Sequence, residues 1–178
     1  MKRIVILASG SGTLAQAIFD AYFEVAEVVA LICDKEGAQV LQRAESKRIE
    51  SYCIPMLADR NQWNIELENL IAALRPDLVV SAGFMRILPA AITERFKIIN
   101  SHPALLPLFP GAHAVRDALA AGARETGTTI HWVDTGQVIA QQSVEILDGD
   151  TEESLHERIK IVERGLIVAT ISEVLKNL

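Results

Sequence analysis

The sequence predicts an α/β fold, a mainly parallel sheet flanked by helices, and three observations predict it. Short β-branched runs alternate with amphipathic stretches along most of the chain, the order of repeated βα units. The first run, Ile4 to Ala8, is apolar without alternation, as in a strand buried on both faces. Near the carboxyl end the pattern changes to two runs joined by a tight turn, which adds an antiparallel hairpin. At 178 residues, with 50% hydrophobic and 22% charged side chains, the chain suits one core. Residues 1–178 are read as a single domain.

Ile4 to Ala8 ends at Ser9-Gly10-Ser11-Gly12-Thr13. Beyond that loop Leu14, Ala17, Ile18, Ala21 and Tyr22 recur at helical spacing, so a helix is expected from Leu14 to Phe23. Val28 to Ile32 is the second strand, Glu36 to Arg48 a helix, and Tyr52 to Ile54 a short strand stopped by Pro55. Gln62 to Leu74 reads as helix, closed by Pro76, and Leu78 to Ser81 as strand. Lys97 to Asn100 is another strand, and Ala114 to Ala121 a helix ended by Gly122. Thr128 to Val133 and Val138 to Ile146 flank Asp134-Thr135-Gly136-Gln137 and form the hairpin. A long helix, Glu152 to Leu175, follows. In such a sheet, ligands gather beyond the strand carboxyl ends.

Lys and Arg number 17 against 23 Asp and Glu, a net charge of −6. That sign is wrong for coating nucleic acid or an anionic membrane, yet compatible with a small anionic ligand in a local pocket. Cys33 and Cys53 are too few and too far apart for a thiolate metal site or a disulfide framework, so a reducing, cytoplasmic setting is expected. Met1-Lys2-Arg3 before an apolar run imitates a signal peptide, but the run ends at Ala8. No apolar stretch approaches the ~18–20 residues that span a bilayer.

Three segments carry chemistry. Gly10, Ser11, Gly12 and Thr13 lie between strand and helix, where free N–H groups and the helix dipole favour phosphate. With Ala15 and Asp34 the same loop also fits a dinucleotide fingerprint, and a non-catalytic dinucleotide-binding module is the alternative it supports. Ser81 to Pro89 makes a Gly-marked bend with apolar residues suited to a flat organic ligand. Asn100 and His102, at i and i+2 on an extended segment, face one spot. An amide donor beside an imidazole suits acyl transfer through an oxyanion. A Pro-braced loop, Ala104 to Gly111, follows them. His131 points opposite to Trp132 and reads as a supporting residue, and Asp134 is expected on the rim that carries His102.

These segments together resemble the glycinamide ribonucleotide formyltransferase family, folate-dependent enzymes of de novo purine synthesis. The likeness runs nearly end to end. Asn100-Ser101-His102-Pro103-Ala104-Leu105-Leu106-Pro107 with Phe109-Pro110-Gly111 is similar to the family's N-x-H-P-x-L-L-P-x-F-x-G signature. Ser81 to Leu88 resembles its formyl-folate pocket strand, Asp134-Thr135-Gly136 its D-[TG]-G loop, and Asp150 to Glu163 its closing helix. The resemblance implies a Rossmann-like sheet and transfer of formyl from 10-formyltetrahydrofolate to the ribonucleotide amine, with no metal. It makes Asn100, His102 and Asp134 catalytic. Gly12 and Thr13 would hold the phosphate with Lys160 and Glu163 nearby, and Arg60, Met85, Arg86, Ile87 and Leu88 would border the folate. A hydrolase or a formyltransferase on another amine is the related alternative, and a homodimer is left open. Two departures stand out. Leu14 replaces an Asn that touches phosphate in many members, and the loop between His131 and Asp134 is shorter than the family's usual one.

Overall fold

The computed structural model describes residues 1–178. Seven strands form one sheet: β1 (Lys2–Ala8), β2 (Ala26–Cys33), β3 (Glu50–Cys53), β4 (Leu78–Ser81), β5 (Ile98–His102), β6 (Glu125–Trp132) and β7 (Val138–Glu145). Their order is β3-β2-β1-β4-β5-β6-β7. The pairs from β3 to β5 are parallel; β5–β6 and β6–β7 are antiparallel. Ile4 to Ala8 are all fully buried, as their unbroken apolar run requires of a central strand. No helix is long and apolar enough to cross a membrane.

Six helices complete the chain: α1 (Thr13–Asp20), α2 (Gln39–Ser46), α3 (Arg60–Leu74), α4 (Ala90–Thr93), α5 (Ala114–Ala120) and α6 (Glu152–Asn177). One face of the sheet carries α1, α2 and α6 around Ile4, Ile6, Ile18, Val40, Ile130 and Ile171. The other carries α3 around Val5, Leu7, Trp63, Ile71, Ile92 and Ile98. The strand pleat assigns alternate residues to these two cores.

Several expected boundaries move. Helix α1 stops at Asp20 instead of Phe23: Tyr22 is 87% exposed, while Phe23 turns into the core. Helix α2 starts late because Gly37 takes a positive φ, and it ends before Arg48, whose φ is also positive. Strand β5 runs on to His102, because β6 supplies an antiparallel partner, Thr129, at that point. The four-residue α4 after Pro89 adds a helix where none was expected.

Candidate active site

The strand carboxyl ends hold Asn100, His102 and the first loop, on both sides of the sheet edge. Ile98 packs into the α3 core, so Asn100 and His102, two and four residues on, lie on that face. Ser101 points to the opposite face, where its hydroxyl donates to the Glu163 carboxylate of α6 in a very short hydrogen bond. The edge between Asn100 and Ser101 thus separates two half-sites.

On the α3 side, Asn100 Nδ2 lies 3.3 Å from His131 Nε2, and the two residues are register partners across β5 and β6. His131 Nδ1 is 3.1 Å from the Trp132 carbonyl, which can only accept, so Nδ1 carries the proton and Nε2 a lone pair. One Asn100 N–H is thereby taken by His131 and the other left for a ligand. His102 Nε2 lies 2.9 Å from the Phe109 carbonyl and donates to it, which turns the Nδ1 lone pair elsewhere. The loop supplying that carbonyl is braced on the sheet. Thr129 Oγ1 donates to Ala104 O at 2.6 Å and accepts from Leu106 N at 3.1 Å. A Cβ on Gly127 would meet the Gln142 carbonyl at 2.1 Å and the Leu105 side chain at 2.8 Å, so only glycine lets this loop lie so close.

The register corrects the expected place of Asp134. His102 pairs with Thr129, whereas Trp132 pairs with Ile99 and Val133 N reaches Ile98 O. Asp134 is five residues beyond Thr129, at most about 16.5 Å along an extended strand at about 3.3 Å per residue, and in the turn below the carboxyl rim. Its exposed carboxylate accepts from the Thr135 N–H at 2.8 Å and makes no bond to His102. The short loop leaves no chain with which to climb back to the rim.

The residues expected to border the folate lie near one another, with Arg60 bonded to the 83–88 segment. Residues 83–88 are tied down from two elements: Ser9 N donates to Gly83 O at 3.2 Å, Met85 N to Ser9 Oγ at 2.9 Å, and Arg60 Nη2 to Ile87 O at 2.7 Å. Arg60 also lies over the Trp63 ring, 4.9 Å from its centroid. Leu88 packs on the α3 core, while Met85 and Ile87 expose 73% and 89% of their surface. A backbone tied down at three points that carries exposed apolar side chains offers an apolar surface to an organic ligand.

On the α6 side, Gly12 ends the first loop at φ 73°, and α1 begins with no side-chain cap, so its leading N–H groups are free for an anion. Val40 N and Arg43 Nε hold the Gly10 and Ser11 carbonyls at 3.2 and 2.7 Å. Leu14 is buried in the core, which accounts for an apolar residue there. Lys160 Nζ pairs with Glu157 at 2.9 Å and stands near enough to Glu163 to favour its ionised form. Burial nevertheless raises the Glu163 carboxyl above its ordinary value, against the Ser101 hydrogen bond and the Lys160 and Arg164 charges.

Asn100 and His102 share a strand face, as their spacing predicts, while Ser101, present in the sequence reading only as part of the signature, has no role assigned there. The alternation that put Asn100 and His102 on one face was the available signal, since it sends Ser101 toward α6. No group of three or more His, Cys, Asp or Glu is arranged to hold a metal ion.

Comparison with known proteins identifies the family and the fold. A family model described as formyl transferase matches residues 2–171. The phosphoribosylglycinamide formyltransferase of Mycobacterium tuberculosis is 47% identical over 181 residues, covering 96% of this chain and 83% of that protein. The Bacillus subtilis protein of the same name is 36% identical, covering 98% and 95%. Among solved structures, glycinamide ribonucleotide transformylase 1 from Geobacillus kaustophilus superposes with a TM-score of 0.92 at 37% identity, covering 98% of this chain and 99% of that one.

Proposed function

The chain belongs to the formyl transferase family, and on that premise we propose that it transfers the formyl group of 10-formyltetrahydrofolate to the amine of glycinamide ribonucleotide. The observation that carries this reading is the Asn100 amide, whose second N–H is left free at the sheet edge between two half-sites. One half-site has the chemistry of a phosphate cradle and the other that of an apolar cleft, so a ribonucleotide and a folate would meet at Asn100.

The neutral amine attacks the formyl carbon, and the carbonyl oxygen takes the charge. The free Asn100 N–H donates to it, a fixed dipole aimed where charge develops. The attacking nitrogen, now cationic, gives its proton to His102 Nδ1, and the imidazolium returns it to folate N10 as the C–N10 bond breaks. Proton and electron pairs balance, and tetrahydrofolate leaves. His102 accepts and returns the proton only if its ring stays put, which the Phe109 carbonyl ensures. This sequence calls on no group at Asp134, whose carboxylate accepts from the Thr135 N–H.

Glu163 and Lys160 complete the ribonucleotide side with the α1 loop, and Arg60, Met85, Arg86, Ile87 and Leu88 the folate side. The deciding experiment is a formyl-transfer assay with purified protein, 10-formyltetrahydrofolate and glycinamide ribonucleotide. Formylated ribonucleotide should appear in step with tetrahydrofolate. Formate released without the amine would establish a hydrolase and sink the reading.

A further inference from the structure

Asp34 is the acid that a dinucleotide fold would offer to a ribose, and its surroundings rule that use out. It follows β2 at the carboxyl edge with a fully buried side chain. Its Oδ2 accepts from Arg86 Nε at 2.5 Å, while Oδ1 is buried with no partner. No face of this carboxylate is open to a hydroxyl from outside.

A buried carboxylate is costly unless paired, so Asp34 depends on Arg86, fifty-two residues away in sequence. The dependence also runs the other way. Arg86 belongs to the 83–88 segment beside the exposed Met85 and Ile87, and its side chain is 31% exposed. Ser9 and Arg60 hold the backbone of that segment, whereas Asp34 holds a side chain. A guanidinium gripped at Nε–H cannot rotate freely; one Nη N–H lies on the gripped edge, and the remaining Nη N–H donors face away from the carboxylate.

Resting on the formyl-folate reading above, we propose that Asp34 is a positioning residue for the co-substrate. Through Arg86 Nε it fixes the guanidinium so that the outward-facing Nη N–H donors meet the anionic end of the folate. Asp34 touches neither substrate. Its loss should therefore weaken folate binding while leaving the transfer step and the ribonucleotide side alone.

The test is calorimetric titration of the full chain with folinic acid, beside steady-state kinetics. Wild-type protein should bind the probe. Asp34→Ala should bind it roughly tenfold more weakly, within the range for coupled neighbours. Its KM for formyl-folate should rise to match, with kcat and the ribonucleotide KM within about twofold. Asp34→Asn, whose amide oxygen can still accept from Nε–H, should recover affinity to within about threefold. In an Arg86→Ala background, Asp34→Ala should add nothing. Asp34→Ser, too short to reach Arg86, is read against the same thresholds if the alanine variant fails to fold. Unchanged folate affinity, an equal rise in both KM values, or an additive loss in the double variant would overturn the inference. A wild-type protein that does not bind folinic acid overturns the functional reading and this inference with it.

Discussion

With its Nδ1–H committed to the Trp132 carbonyl, His131 accepts only at Nε2, so the Asn100 amide turns its NH2 toward it. That orientation puts a donor, not an acceptor, in front of the developing oxyanion. Removing one such donor typically costs ~10²–10³ in turnover. Asn100→Ala should lower kcat by that amount with ribonucleotide affinity nearly unchanged, and equal losses in kcat and binding would argue for a ground-state contact. His131→Phe keeps the ring and removes the acceptor, leaving Asn100 free to flip. Its kcat should fall about tenfold, a smaller loss than in Asn100→Ala because the donor is still present part of the time. Asp134 makes the opposite prediction. Because its carboxylate closes the β6–β7 turn on Thr135, Asp134→Asn should keep kcat within about twofold, since the amide oxygen can accept the same turn bond. A collapse of turnover in that variant would restore Asp134 to the mechanism.

At the scale of the element, the α1 loop is shaped by packing as much as by any ligand. A Cβ on Gly12 would lie 2.4 Å from Val40 Cγ2 and 2.9 Å from Val40 Cα, at a φ of 73°. Gly12→Val therefore displaces α2 and strains the turn together, at a cost of about 2 kcal/mol or more, seen as a lower urea midpoint. Lost ribonucleotide affinity in that variant would say nothing of phosphate contact until its stability had been measured. Helix α6 offers a cleaner case. Thr151 and Ser154 form a reciprocal capping box, so Thr151→Ala should cost ~1 kcal/mol in urea melts with m unchanged. Elements like these were largely readable in the sequence. Ile4 to Ala8, Leu78 to Ser81 and the start of α6 at Glu152 stand where apolar period and end signals put them. Where the signals were mute, boundaries slipped. Nothing local separates Ala21-Tyr22-Phe23 from a further helical turn, and only the burial of Phe23 under the sheet does so. The site was legible where two residues share one strand, as Asn100 and His102 do. It was illegible where it depended on register, since the place of Asp134 is set by which residue of β6 meets His102.

Where the last helix meets the sheet, two carboxylates have titrations that oppose each other. Asp150 precedes α6 and is clasped by Arg158, with Nη1 2.7 Å from Oδ1. The guanidinium, helped by the Leu147 N–H and Ser154 hydroxyl, holds its pKa well below the ordinary 3.8. Its ionised form is thus favoured by folding, and the stability it adds is present above about pH 4 and fades as pH falls toward the folded value. Glu163, midway along α6, has the reverse sign. Burial raises its pKa above the ordinary 4.5, so folding favours the protonated form. The stability this gives is whole below the unfolded value and is lost as pH rises through 4.5 and on through the folded pKa. At neutral pH the chain retains Asp150's contribution and bears the full burden of a half-buried Glu163 anion at the point where α6 meets β5. Glu163→Gln removes that burden, and its amide oxygen can still accept from Ser101. Urea melts should therefore find Glu163→Gln more stable than wild type at pH 7.5, with the difference shrinking steadily toward pH 4.5 and absent below it. Asp150→Asn should be less stable than wild type at pH 7.5, and its deficit should persist at pH 4.5 and close only in stronger acid. A Glu163→Gln variant less stable than wild type at pH 7.5 would mean that the Ser101 and Lys160 contacts outweigh the burial of the charge.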